Sequence, residues 1–217
     1  MDLAQARFNM VEQQIRPAEV LDEKVLDLLL VVKREDFIPE AWRNLAFVDM
    51  ETPIKADVRT LPPRIEARLV QEVAVKPTDK ILEVGTGCGY TTALLAKLGR
   101  HVYSVDIDPE LTEMARANLD KAGIRNVTLE TGDAAQGWAA NAPYDIIVIS
   151  GSVPVLPTQF VDQLNRGGRI FAIVGDAPIM RVTVFTKEAD GKLSERQFME
   201  TVVTPLTNAA QPKRFSF

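Results

Sequence analysis

From residue 80 to residue 187, short apolar runs alternate with helical stretches, and this alternation restricts the fold more than any other feature of the chain. Segments 80–84, 101–105, 127–130, 144–149 and 169–174 read as strands, with 90–98, 108–123 and 157–164 as the helices between them. Ile146, Ile147, Val148 and Ile149 are consecutive, as suits a strand covered on both faces. Asp108 before Pro109 is a helix start, and Gly123 is a stop. Strand, helix, strand with short connections predicts a parallel sheet with right-handed crossovers. The last two apolar runs, 180–186 and 196–203, flank Asp190-Gly191 with no helix between them. They predict an antiparallel pair at the end of the sheet.

Residues 1–75 read differently, as helices and loops. A helical pattern at 10–15 stops at Pro17, and Val25, Leu26, Leu29 and Leu30 recur at helical spacing after Asp22. Pro39 opens a short helix and 49–61 has no period, so it reads as a loop. Pro62-Pro63 start a helix whose apolar face is Ile65, Leu69, Val70 and Val73. The expected fold is therefore α/β: a doubly wound, Rossmann-like, mostly parallel sheet with antiparallel strands at its end and an N-terminal helical extension. The expected division is an extension over 1–75, carrying a substrate-side loop, and a ligand-binding domain over 76–217. Residues 205–217, with Lys213-Arg214-Phe215, form the C-terminal tail.

Composition removes several function classes. Hydrophobic residues are 46% and charged residues 25% of the 217, the balance of an ordinary globular chain rather than a disordered or collagen-like one. A net charge of −5 gives no broad basic field, which argues against nucleic acid as partner. With one cysteine, Cys88, and one histidine, His101, neither an intramolecular disulfide nor a Cys/His zinc site can form. No metal is expected. The most apolar run, 25–32, contains Asp27 and ends at Lys33-Arg34; it is too short to span a bilayer, and the N-terminus has no signal-like stretch. A cytoplasmic protein without a membrane partner is expected.

The loop after the first strand reads Glu83-Val84-Gly85-Thr86-Gly87-Cys88-Gly89. In open α/β sheets ligands sit beyond the carboxyl ends of the strands, and these glycines permit positive φ and close approach to bare backbone. A simple turn needs one glycine, not three. A dinucleotide fingerprint needs a third glycine at the sixth position from Gly85, and Tyr90 stands there. A phosphate-cradling Gly-Lys-Ser/Thr is absent too, so a dinucleotide oxidoreductase is disfavoured. Asp106 ends the second strand, about 20 residues beyond Gly85, where a carboxylate can accept from ribose hydroxyls. Asp133 follows the third strand and can accept from an adenine amino group.

This constellation resembles the class I S-adenosylmethionine-dependent methyltransferases. The resemblance implies S-adenosyl-L-methionine as cofactor and S-adenosyl-L-homocysteine as product. It implies Gly85, Thr86, Gly87 and Gly89 against the methionine part of the cofactor, Asp106 on the ribose, Ile107 on adenine, and Asp133 with Ala134 at the adenine edge. Glu83 would order the loop or meet a cofactor amino group. Segments 7–15, 32–40 and 45–49, with Tyr103-Ser104-Val105, Gly132-Asp133, Gly137-Trp138 and Gly167-Gly168-Arg169, are similar to the protein-L-isoaspartate O-methyltransferases. That resemblance spans nearly the whole chain. It implies a damaged protein or peptide carrying isoaspartate as substrate, its carboxylate methylated in protein repair.

One departure concerns the acceptor. Where the family carries an active-site serine before a proline, alignment on Pro63 places Leu61, which has no hydroxyl to donate. Thr60 is adjacent, Arg59 and Arg64 can bind an acidic acceptor, and Ser150 lies on the ligand side of the sheet. No residue is assigned as catalytic from sequence; Arg59, Thr60, Leu61 and Ser150 are the candidates for substrate binding. Two further readings remain beside repair: a different methyl acceptor on the same fold, or cofactor binding without turnover. Nothing in the sequence sets the oligomeric state.

Overall fold

The computed structural model describes residues 2–211; Lys213-Arg214-Phe215 of the tail lies outside them. Asp2 caps the first helix, α1 (Leu3–Met10), by accepting from the backbone N–H groups of Ala4 and Gln5. The chain continues through a π-helical turn, Val11–Ile15, to a stop at Arg16–Ala18 that contains Pro17. Asp22 caps α2 (Glu23–Val31), and 3-10 turns follow at Arg34–Asp36 and Glu40–Phe47. The segment read as a loop contains a small hairpin, β1 (Pro53–Lys55) with β2 (Val58–Arg59). Strands of two and three residues are too short for a period to show in sequence. Helix α3 (Pro63–Val73) opens at the double proline as expected.

The main body then runs β3 (Lys80–Val84), α4 (Tyr90–Leu98), β4 (His101–Asp106), α5 (Pro109–Lys121), β5 (Val127–Thr131), β6 (Tyr144–Val153), α6 (Thr158–Asp162), β7 (Leu164–Asp176), β8 (Ile179–Lys187) and β9 (Leu193–Thr201). The seven strands lie in the order β5-β4-β3-β6-β7-β8-β9. Pairing is parallel from β5 to β7 and antiparallel through β8 and β9. The mostly parallel sheet and its antiparallel end are those expected from sequence. Chain order reverses between β3 and β6, so the topological switch point lies at their carboxyl ends, where this architecture binds ligands.

Several boundaries differ; the last strand, for one, runs Leu193–Thr201 rather than 196–203. Strand β7 begins at Leu164, opposite Tyr144, and reaches Arg169 opposite Ile146 through a register shift that takes up Gly167-Gly168. Strand β6 runs on past Ile149 to Val153 through a second irregularity between Val148 and Ser152. That extension carries Ser150 along the ligand end of the sheet.

Alternation explains the unbroken apolar run. Ile146 and Val148 enter the apolar cluster on one face, Ile147 and Ile149 the cluster on the other, as a period of two dictates. Each such side chain contributes about 1.5–3 kcal/mol by leaving water. The first cluster also holds Met10, Ile15, Leu26, Leu29 and Phe37 beside Ile81 and Val102. The N-terminal elements therefore share a core with the sheet, and this fixes the β1–β2 hairpin over the switch point.

Candidate active site

The loop between β3 and α4 turns on left-handed glycines. Gly85, Gly87 and Gly89 have φ of +92°, +54° and +84°. Asp106 at the end of β4 holds this loop: Oδ2 accepts from the N–H of Gly87 at 2.8 Å, and Oδ1 from that of Asp108 at 3.0 Å. Each oxygen keeps a lone pair for a further donor. Burial lifts the Asp106 carboxyl above the ordinary aspartate value, and the N–H groups of Asp108 and Gly87 draw it back.

Beyond the strand ends lies a cavity of about 350 Å³, with Gly85, Gly87, Asp106, Ile107, Asp133 and Ala134 in its wall. Those six are cofactor candidates that the fold brings together. Asp133 is partly engaged: Oδ1 accepts from the N–H of Ala135 at 3.0 Å, and Oδ2 from Asn208 Nδ2 at 2.8 Å. Ile107 is exposed and supplies an apolar surface.

Three other candidates stand off the wall. Gly89 is the left-handed cap of α4, and a Cβ built there would lie 3.1 Å from Ala115 Cβ of α5. Close packing on α5 and the left-handed φ both favour glycine there. The Thr86 hydroxyl pairs with that of Ser104 at 2.6 Å, and Thr86 borders only a small side cavity. Glu83 is fully buried; its Oε2 accepts from the hydroxyls of Thr92 and Ser104. Its side chain thus lies between α4 and β4 rather than in the wall of the larger cavity. Burial pushes its carboxyl up to about 7.

The opposite wall comes from the hairpin and the residues after it: Asp57, Val58, Arg59 and Leu61. Arg59 is exposed and, among the described residues, in no ion pair. Arg64 instead pairs with Asp49 at 3.3 Å and is absent from the wall. Leu61 is buried in the walls of both cavities, and Thr60 borders the smaller one. The Thr60 Oγ1 accepts from Arg34 Nη2 at 2.6 Å and from the N–H of Thr52 at 3.2 Å. Ser150 borders both cavities, and its buried hydroxyl has no partner. It stands beside the glycine loop, since a Cβ on Gly85 would lie 3.5 Å from Ser150 Cβ.

Sequence reasoning missed the far side of the cavity, formed by Glu51 and by Thr204, Pro205, Leu206 and Thr207. The N–H of Thr204 donates to Glu51 Oε1 at 2.9 Å, and that of Leu206 to the Ser152 carbonyl at 2.8 Å. No local pattern announces such contacts; only the closed fold brings these segments together. Across the mouth, Lys55 of β1 bonds Asp108 and Glu110 at 2.6 Å each.

The charged residues in the wall are Glu51, Asp57, Asp106, Asp108 and Asp133 against Arg59 alone. Such a field repels a pyrophosphate and suits a ligand that is cationic and rich in hydroxyls. The profile of the protein-L-isoaspartate(D-aspartate) O-methyltransferase family matches residues 5–211. The chain belongs to this family of enzymes. Protein-L-isoaspartate O-methyltransferase of Aeropyrum pernix is 37% identical over 206 residues, 93% of this chain and 79% of that protein. The protein of the same name from Gloeobacter violaceus is 37% identical over 199 residues, 91% and 97% of the two chains. A solved protein-L-isoaspartate O-methyltransferase superposes with a TM-score of 0.79 at 23% identity, covering 93% of this chain and 66% of that one. A Plasmodium falciparum structure described as a putative member, in complex with S-adenosyl-L-homocysteine, gives the same TM-score at 18% identity over 93% and 98% of the chains. Among the described residues, no helix is long and apolar enough to cross a membrane.

Proposed function

We propose that this chain transfers the methyl group of S-adenosyl-L-methionine to the carboxylate of L-isoaspartyl residues in damaged cytoplasmic proteins, leaving S-adenosyl-L-homocysteine. The observation that carries the reading is the acidic cavity at the switch point, clamped by Asp106, in a chain that matches the family along 5–211.

The residues present fit this cofactor. Gly85 and Gly87 offer bare backbone, the free lone pairs of Asp106 suit two ribose hydroxyls, Ile107 gives an apolar face, and Ala134 beside Asp133 suits the adenine edge. When bound, the cofactor supplies a methyl group on a positively charged sulfur. An acceptor carboxylate is ionised at neutral pH and needs no general base, so the chain's task is placement. Arg59 attracts the carboxylate by charge-assisted hydrogen bonding, and the Ser150 hydroxyl donates to it where the cavities meet. Leu61 and Val58 keep water from the junction. Orientation of this kind lowers a barrier by about 7–11 kcal/mol when complete.

Leu61 also supports a second reading, in which the same fold methylates a less polar acceptor. Labelled-methyl transfer to an isoaspartyl peptide and to its aspartyl isomer separates the two. Strong preference for the isoaspartyl form supports repair. Transfer without preference favours another acceptor, and failure to form S-adenosylhomocysteine with any acceptor leaves binding without turnover.

A further inference from the structure

Arg34 lies outside the cavity wall and has no role in the reading above. It is fully buried, and its guanidinium uses every N–H it has. Nε donates to Glu66 Oε2 at 2.8 Å; Nη1 donates to the Ala46 carbonyl at 3.0 Å and Thr52 Oγ1 at 3.3 Å; Nη2 donates to Thr60 Oγ1 at 2.6 Å and the Leu61 carbonyl at 3.0 Å. The fork therefore joins the 3-10 turn at Glu40–Phe47, both ends of the β1–β2 hairpin, and α3.

Burying such an ion pair is a poor source of stability, because desolvation offsets most of the attraction. What it does supply here is geometry. Asp57, Val58, Arg59 and Leu61 line the larger cavity, and Arg59, Thr60 and Leu61 line the smaller one that meets it at Ser150. By donating from one nitrogen to the Thr60 hydroxyl oxygen and the Leu61 carbonyl, Arg34 pins both side chain and backbone of this stretch of the wall.

We infer that Arg34 is a positioning residue for methyl transfer: its guanidinium fixes Thr60 and Leu61 where they line the acceptor side of the two cavities. The inference rests on the proposed function for its kinetic consequence, and on the hydrogen-bond geometry alone for its structural one. Lysine cannot substitute, since an ammonium has three donors and no planar fork.

The test compares wild type with Arg34→Lys and Thr60→Val in three measurements. These are amide hydrogen exchange over 52–61, kinetics on an isoaspartyl peptide, and affinity for S-adenosylhomocysteine. Arg34→Lys should exchange its 52–61 amides faster and lose about 10- to 100-fold in kcat, the scale of a small misplacement at a reacting centre. Its affinity for S-adenosylhomocysteine should stay within about twofold. Thr60→Val leaves the Arg34–Glu66 pair intact and should speed exchange over 52–61 as well as lower kcat; its exchange carries the test if Arg34→Lys does not fold. Unchanged exchange and kinetics in the folded variants would overturn the inference, as would cofactor affinity falling in step with kcat. If wild type methylates no isoaspartyl peptide, the functional reading fails, and hydrogen exchange still decides whether Arg34 holds this wall.

Discussion

Replacing Glu83 with glutamine makes the buried carboxyl beneath the glycine loop measurable. In the folded chain this group titrates at about 7, against an ordinary value of 4.5, with desolvation as the main cause and the Thr92 and Ser104 hydroxyls acting in the opposite direction. Below pH 4.5 the group is protonated in both states and contributes nothing to the pH dependence. Between 4.5 and 7 the unfolded chain releases the proton and the folded chain keeps it, so stability falls as pH rises. Above 7 the loss is complete, at about 3 kcal/mol. Glutamine still offers an oxygen to Thr92 and Ser104 but sets an amide where Oε1 has no partner. That costs about 1–3 kcal/mol at every pH and leaves the slope untouched. Urea unfolding from pH 5.5 to 8 should therefore show wild type losing about 2 kcal/mol relative to Glu83→Gln. Taking the difference cancels carboxylates far from the site, whose effects add independently. Parallel stability curves for the two proteins would refute the assignment of a neutral, buried Glu83.

Leu61→Ser should raise kcat/KM on an isoaspartyl peptide while lowering stability by about 2–5 kcal/mol, the range for truncating a buried leucine; unchanged or lower turnover would show that the apolar wall does not limit the reaction. Arg59→Gln should raise KM for the peptide about tenfold with kcat little altered, since a charge-assisted hydrogen bond is worth about 1.5–3 kcal/mol; a fall confined to kcat would place Arg59 elsewhere in the reaction. Ser150→Ala should leave thermal unfolding nearly unchanged, because its hydroxyl has no partner in the free protein. The same variant should lose about fivefold to tenfold in kcat/KM on the peptide, and equal kinetics with wild type would remove Ser150 from the acceptor site.

What could be read from sequence is what local spacing controls. The strand–glycine–helix succession, Asp106 at a strand end and Asp133 in the next loop each follow from neighbours a few residues apart, and all three reach the cavity. Glu83 shows where position without direction falls short. It stands two residues before Gly85, but the pleat sends Leu82 and Val84 to one face of the sheet and Ile81 to the other. Glu83 shares the face of Ile81 and meets Thr92 of α4. Strand alternation alone dictates this direction. Thr60 shows another limit: it borders the smaller cavity, but its hydroxyl oxygen accepts from Arg34, a partner in a separate element that no local pattern couples to it. The closing segment at Thr204–Thr207 and its tie to Glu51 are tertiary in the same sense. The hairpin escaped because its strands are shorter than any period they could display.

The account turns on the cavity at the β3 exit holding an adenosyl ligand through Asp106. Calorimetric titration of S-adenosylhomocysteine into wild type and into Asp106→Ala tests this directly. Saturable binding at one site per chain, weakened about 10- to 100-fold or more by Asp106→Ala for the loss of two charged hydrogen-bond acceptors, is the predicted result. Absence of binding heat in wild type, or equal affinity in the two proteins, would contradict it.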